Sequence, residues 1–443
     1  MTRANALPLV LVLLSWSVPL RAQEQRVEAA QAAAKADPKS AEASIALGRA
    51  LRRAGRAKEA TTELGRGLAV ARGAEQGRAR YELMRAWADQ KHHENAMAAC
   101  NGIREEALRR ACAAEVHVTV KKRGTEAVPE IEAALKKDAG VYEVKYVEGL
   151  TRALMGELGP AEAAFGAAIA KDDKRGEAFL GLGRALEAAG READAVKAYR
   201  RAVAVDGDDP DALYELARLL PPADEARALL EKATKGRPSF GPAWARLAEI
   251  HVAARRGADA LTAAEAAVKL DAKQADWHAV LAEARVLAKK WDDALLAVKA
   301  ALALAPYHGR ARLAEGDALA GKGDIDQAIQ AYQAAYGALR TDPTPLVRAA
   351  IACLAAGNRE TSAKGFADRA TREFPKWAPA WEVAGDVAVL RGERAEAIAA
   401  YEKALTGEGP VETRAIKAKL DTIRPAPSTP PSPPPSTPPA RPK

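Results

Sequence analysis

One residue type returns along this chain at nearly constant spacing. Ala60, Ala96, Ala127, Ala161, Ala195, Ala226, Ala260, Ala294, Ala328, Ala363 and Ala397 follow one another at steps of 36, 31, 34, 34, 31, 34, 34, 34, 35 and 34 residues. A fixed period of this length marks a repeat architecture, in which one small supersecondary unit is copied and stacked. Alanine is abundant here, so its neighbours must carry the point. A leucine followed by a small residue recurs twelve or thirteen places upstream, at Leu47-Gly48, Leu182-Gly183, Leu247-Ala248 and Leu281-Ala282, and Gly149, Gly316 and Gly385 hold the same small slot elsewhere. Four residues after the alanine stands a larger core side chain: Leu64, Phe165, Tyr199, Leu230, Val298, Tyr332 and Tyr401. Pro38, Pro238, Pro306 and Pro375 close several copies, where a helix cannot continue. Composition agrees with helices. Apolar residues make up 48% of the chain but aromatics only 5%, and alanine is the strongest helix former.

The pattern Phe179, Leu182, Gly183, Leu186, Ala195, Tyr199, and again Trp244, Leu247, Ala260 with Pro238, resembles the tetratricopeptide repeat family. The resemblance covers residues 41–406 in eleven units beginning near Ala41, Gly77, Leu108, Tyr142, Gly176, Pro210, Gly241, Ala275, Gly309, Thr344 and Ala378. It implies an all-α, right-handed α-solenoid of helix-turn-helix units. Each glycine in a helix costs roughly 1 kcal/mol against alanine; the expectation is that the small slot on the first helix faces the marked alanine on the second, so that the backbones approach closely. The second and third units depart from the pattern, with Met84 and Glu115 in the slot, and the sixth carries a turn shortened by three residues at "PPADEA". Residues 23–40 are expected to cap the start of the array and 407–424 to form a C-terminal capping helix that closes it, because terminal faces of a stack otherwise expose apolar surface.

The two ends of the chain differ from the array. Arg3, an apolar stretch from Ala6 to Leu20 broken by two serines and two prolines, and Ala22 at the exit read as a secretory signal peptide over residues 1–22. The alternative is a retained anchor. A formal charge of +8, which falls by two when Arg3 and Arg21 leave with the leader, is a mild bias and no nucleic-acid signature. Residues 425–443, with ten prolines in nineteen positions, form a proline-rich tail expected to be extended or disordered, either a docking tail or an inert end. The cysteines Cys100, Cys112 and Cys353 are expected to serve as small buried core residues, with a Cys100–Cys112 pair as the alternative.

No catalytic or cofactor spacing is present. "KHHEN" at 91–95 puts His92 and His93 side by side in a turn, not one helical turn apart as a helical zinc site requires. There is no phosphate loop, dinucleotide fingerprint or nucleophile elbow. Neither a metal nor a cofactor is expected, and function is assigned to the surface. The family resemblance implies that the first helix of each unit lines a concave groove that takes peptides or partner proteins. The residue after the slot reads Arg49, Arg85, Val116, Leu150, Arg184 and Arg218, then Glu249, Glu283, Asp317, Ala352 and Asp386. That is a groove basic in its first half and acidic in its second, able to orient an elongated partner by charge, with Tyr81, Tyr146 and Tyr214 as rings that pack on it. The expected function is a non-catalytic protein–protein interaction scaffold in the bacterial periplasm or cell envelope, within an assembly, secretion or motility complex. The alternatives are an accessory factor for polysaccharide export, and an enzyme whose site lies in the atypical second and third units.

Overall fold

The computed structural model describes residues 22–424. The leader expected at 1–22, apart from its last residue, and the tail at 425–443 lie outside the described residues. The described residues form helices and turns, with one isolated bridge between Trp377 and Glu408. The chain divides into two compact units, the first reaching Ala254 and including Thr262–Asp271, the second made of Arg255–Leu261 and the chain from Ala272 onward.

In the first unit, α1 (Ala22–Ala36) precedes six helical hairpins: α2 (Ala41–Arg53) with α3 (Ala57–Val70), α4 (Ala74–Asp89) with α5 (His93–Asn101), α6 (Glu106–Val116) with α7 (Gly124–Asp138), α8 (Tyr142–Leu154) with α9 (Leu158–Lys171), α10 (Gly176–Ala188) with α11 (Glu192–Val205), and α12 (Pro210–Leu219) with α13 (Asp224–Gly236). Helix α14 (Gly241–Ala253) follows, and α15 (Gly257–Leu270) is divided between the units. The second unit pairs α16 (Ala275–Leu287) with α17 (Trp291–Leu304), α18 (Gly309–Lys322) with α19 (Ile325–Ala338), α20 (Thr344–Ala355) with α21 (Glu360–Glu373), and α22 (Ala378–Leu390) with α23 (Arg394–Thr406), and ends in α24 (Thr413–Ile423).

Local chemistry sets the helix ends. Ser40 Oγ accepts the N–H of Ala43 at the start of α2, and Asp209 Oδ1 accepts that of Asp211 at the start of α12, where Pro210 occupies the first turn. In the hairpins other than α12–α13 the first helix stops on a left-handed residue. Gly190, at φ 75°, lets the N–H of Arg191 return to the carbonyl of Leu186 at 2.9 Å. Lys289 does the same job at φ 57°, with Lys290 bonded to Arg285.

All eleven marked alanines are fully buried. The small slot, however, faces a different residue from the one expected. A Cβ built on Gly183 meets the Tyr199 ring at 2.4 Å; on Gly48 it meets Leu64 at 2.4 Å, on Gly149 Phe165 at 2.7 Å, on Gly316 Tyr332 at 2.5 Å and on Gly385 Tyr401 at 2.4 Å. The partner is always the large residue four places after the alanine, and the glycine is the recess that receives it. The two glycines of α10 serve two joints: Gly183 receives Tyr199 of its own hairpin, and Gly181 faces Phe165 of the preceding one at 2.5 Å. Burying a ring of about 150–200 Å² contributes ~4 kcal/mol, several times the ~1 kcal/mol lost in helix propensity.

The ends are covered. Val27 and Ala34 of α1 are buried against Ile45, Leu47 and Leu51, and Ile416 and Leu420 of α24 against Ala388, Tyr401 and Ala404. Cys100 and Cys112 differ from the expectation of three free core cysteines: they form a disulfide, fully buried, with Cα atoms 5.5 Å apart. Twelve residues span the turn from α5 into the middle of α6, which brings the two side chains face to face. Cys353 is free and buried.

Candidate functional site

The first helices of the six hairpins of the first unit surround a cavity of about 520 Å³, whose wall takes residues from α2, α4, α6, α8, α10 and α12. Five arginines line it, Arg52, Arg53, Arg85, Arg184 and Arg237, and five carboxylates, Glu115 and Glu177 among them. Its centre of charge is Arg85, buried between α4, α6 and the ring of Tyr146 on α8. Its guanidinium donates to Glu115 at 2.9 and 3.3 Å and to Glu177 at 3.4 Å, and lies over the rings of Tyr81 and Tyr146 at 5.1 and 5.6 Å. Tyr81 donates to Glu115 at 2.6 Å. Burial disfavours the charge on Arg85, but Glu115 and Glu82 outweigh it and hold its pKa well above the ordinary arginine value. Burial likewise opposes ionisation of Glu177, yet Arg85 and Arg175 overcome it and bring its pKa down to about 2. Burial, with Glu115 beside it, pushes Tyr146 up to about 12.

The arginines expected to form a basic surface each have an acid beside them. Arg49 donates to Glu82 at 2.8 Å, Arg184 to Glu215 at 3.0 Å, and Arg218 to Glu187 at 2.5 Å and Glu215 at 2.9 Å. Arg85 is only 5% exposed. The first half of the read-out is therefore locally neutral rather than basic. The tyrosines are placed among side chains of their own unit: Tyr81 is buried, Tyr146 stacks on Tyr142 at 6.1 Å, and Tyr214 leans on Phe240 at 5.1 Å. Glu249, also in this unit, pairs with Arg246 at 3.0 Å.

In the second unit the acids bond to the nearest helices. Glu283 pairs with Arg310 at 2.8 Å. Asp317 accepts the hydroxyl of Tyr332 at 2.8 Å, with Arg348 at 3.8 Å, and burial raises its pKa. Asp386 accepts the hydroxyl of Tyr401 at 2.7 Å and is reached by Lys419 of α24 at 2.8 Å. Two of these acids thus satisfy the polar tip of the ring that fills the neighbouring glycine recess.

Glu82, Glu177, Glu187 and Glu215 do not stand out in the sequence, and Glu115 does so only as an irregular slot residue. A signal for them exists: Arg and Glu recur 30–33 residues apart, one repeat along, as in Arg49–Glu82, Arg85–Glu115 and Arg184–Glu215. The histidines of "KHHEN" sit at the start of α5, with His93 6.3 Å from the His117 ring and His92 edge-on to Trp87. Among the described residues no group of three His, Cys, Asp or Glu side chains is arranged to hold a metal ion, and no helix is long and apolar enough to cross a membrane.

Three family models, each described as a tetratricopeptide repeat, match the chain, one at residues 176–219, one at 223–284 and one at both 24–71 and 280–343. No curated protein matches it. Similar solved structures include yeast Tom70, at 13% identity over 90% of this chain and 92% of that one with a TM-score of 0.42. A tetratricopeptide repeat protein from Parabacteroides merdae is 14% identical over 64% and 98%, TM-score 0.38. The Cut9–Hcn1 hetero-tetramer of the APC/C is 15% identical over 90% and 93%, TM-score 0.39.

Proposed function

Because the chain belongs to the tetratricopeptide repeat family, whose arrays serve in general as protein-interaction scaffolds, we propose that it is a non-catalytic scaffold of the bacterial cell envelope. It holds a partner protein or extended peptide on the first-helix faces of its hairpins. One observation carries the reading: the recurrent small and large residues are consumed inside the hairpins, Gly183 against Tyr199 and its equivalents, whereas the residue after the slot, charged in eight of the eleven units, changes sign along the chain from Arg49, Arg184 and Arg218 to Glu249, Glu283 and Asp386. Export is supported by the leader pattern at 1–22 and by the buried Cys100–Cys112 disulfide, since disulfides persist in oxidising compartments and are rare in the cytosol. The setting is an assembly, secretion or motility complex.

Photo-crosslinking amino acids at Arg49, Glu283 and Asp386, compared with one at Lys197 on the second helix α11, test the binding face in intact cells. First-helix positions are expected to capture a single protein species and Lys197 none. Equal capture from both faces overturns the assignment. Export is read separately from the N-terminus of the purified protein, expected at residue 23; an intact leader on a cytoplasmic protein overturns it.

A further inference from the structure

In a stacked array each repeat touches only its neighbours, and the two ends of a run of six stay apart. The first unit breaks this rule. Arg26 of α1 donates to Asp206 at 2.7 Å and pairs with Asp208 at 2.9 Å; Arg53, at the end of α2, reaches Asp206 at 2.5 Å. Arg237, just after α13, donates to the main-chain carbonyl of Arg53 at 3.1 Å. Gly55 lies so close that a Cβ on it sits 2.7 Å from Ser239 Oγ. Residues 153 to 184 positions apart thus meet, and the six hairpins close on themselves around the charged cavity.

The seam is unlike every other joint of the ring. Successive hairpins are joined by fully buried apolar groups, as where Phe165 of α9 packs on Gly181 of α10 and Ile131 of α7 shares a core with Val144 and Val147 of α8, whereas the bonds across the seam are ionic and hydrogen-bonded. The seam arginines keep substantial exposure, 42% for the Arg26 side chain and 31% for Arg53. Partly exposed ion pairs are weak and are screened by salt, while buried apolar joints are not. The ring therefore has one weak joint of a different chemical kind. The cavity of about 520 Å³ and a neighbouring one of about 1120 Å³, which shares Arg52, Arg53 and Glu177 with it and has Arg26 and Asp206 on its wall, together hold about three turns of α-helix, taking a helix diameter of roughly 11 Å, so opening the ring makes room for a longer segment against the inner faces of α4, α6, α8 and α10.

We propose that the first unit is a clasp, closed through the Arg26–Asp206–Arg53 seam and opening there, by rotation of α1 and α2 away from residues 206–239, to expose its inner first-helix faces. That the exposed faces then take a partner rests on the function proposed above; the opening itself does not. Spin labels on Gln31→Cys and Lys235→Cys in the full chain, with Cys353→Ser, read the seam distance without any partner. At low salt one short distance is expected; raising salt to about 1 M, where the Debye length falls to roughly 3 Å, adds a longer one. Asp206→Lys, which turns two attractions into repulsions, is expected to raise the long-distance fraction about tenfold at low salt, while Arg191→Ala, at an exposed pair elsewhere, leaves it unchanged. A single short distance in both seam forms at every salt concentration overturns the clasp. Should Asp206→Lys not fold, by loss of helical circular dichroism, the salt series on the labelled parent decides alone: an unmoved distance is equally fatal. Failure of crosslinking with an opening seam counts against the binding face and not against the clasp.

Discussion

The hairpin α10–α11 and the hairpin α4–α5 solve one packing problem in opposite ways. In the first, glycine at position 183 receives the large Tyr199 sixteen residues on. In the second, Met84 fills the slot and the small Cys100 stands sixteen residues on, both fully buried in one cluster. These two joints keep a similar summed volume across two helices, not a glycine as such, because close-packed interiors respond to total volume. The next hairpin, α6–α7, goes further and places Glu115 in the slot, where Tyr81 and Arg85 satisfy it. Apolar fit is thus exchanged for a polar network where the repeat pattern is weakest.

Breaking that network should give the largest effect. Arg85→Ala leaves Glu115 buried without its cation and is expected to cost about 3–5 kcal/mol in urea unfolding, while Arg85→Met with Glu115→Met recovers most of it. An equal loss in the double variant would show that the network itself stabilises the joint. Gly183→Met alone drives a side chain into a ring 2.4 Å from the glycine's Cβ position and should cost about 3 kcal/mol. Adding Tyr199→Cys, which copies the Met84 and Cys100 pair, should restore most of that loss; additive effects in the double-mutant cycle would disprove volume exchange. Replacing Cys100 and Cys112 by alanine should cost about 3 kcal/mol by thermal unfolding, with reductant then having no further effect, as expected for a closed loop of this length.

The smallest effect concerns pH. Glu177 titrates near 2 in the folded chain and near 4.3 when unfolded, so its contribution is complete above about pH 4.5 and fades as pH falls toward 2. Glu177→Gln should flatten the stability profile in that window by on the order of 2 kcal/mol and leave the profile above pH 6 parallel to the parent's. A parallel profile down to pH 2 would mean that Arg85 and Arg175 do not hold this carboxylate.

Much of the all-α repeat was legible because its determinants are local and periodic. The marked alanines, the recess and the large residue recur at fixed offsets, and turn chemistry such as Gly190 follows from one residue's allowed dihedrals. The orientation of the recess was not legible: its offsets to Ala195 and Tyr199 differ by four residues, one helical turn, and both lie on the same face of α11. Charge was legible residue by residue but its pairing was not, since Arg85 and Arg184 meet the acids Glu115 and Glu215 of the next hairpin.

Sequence alone determined that this chain is a run of helical hairpins, which residues are withdrawn into the joints, and the family to which the chain belongs. Tertiary structure decided the rest: that Tyr199 and not Ala195 fills the recess, that Cys100 meets Cys112, and that Arg26 and Arg53 meet Asp206 across the ring. The physical reason is range. Helix formation and hairpin packing depend on neighbours within about one repeat, while the closure of six hairpins sums small rotations that no single period contains.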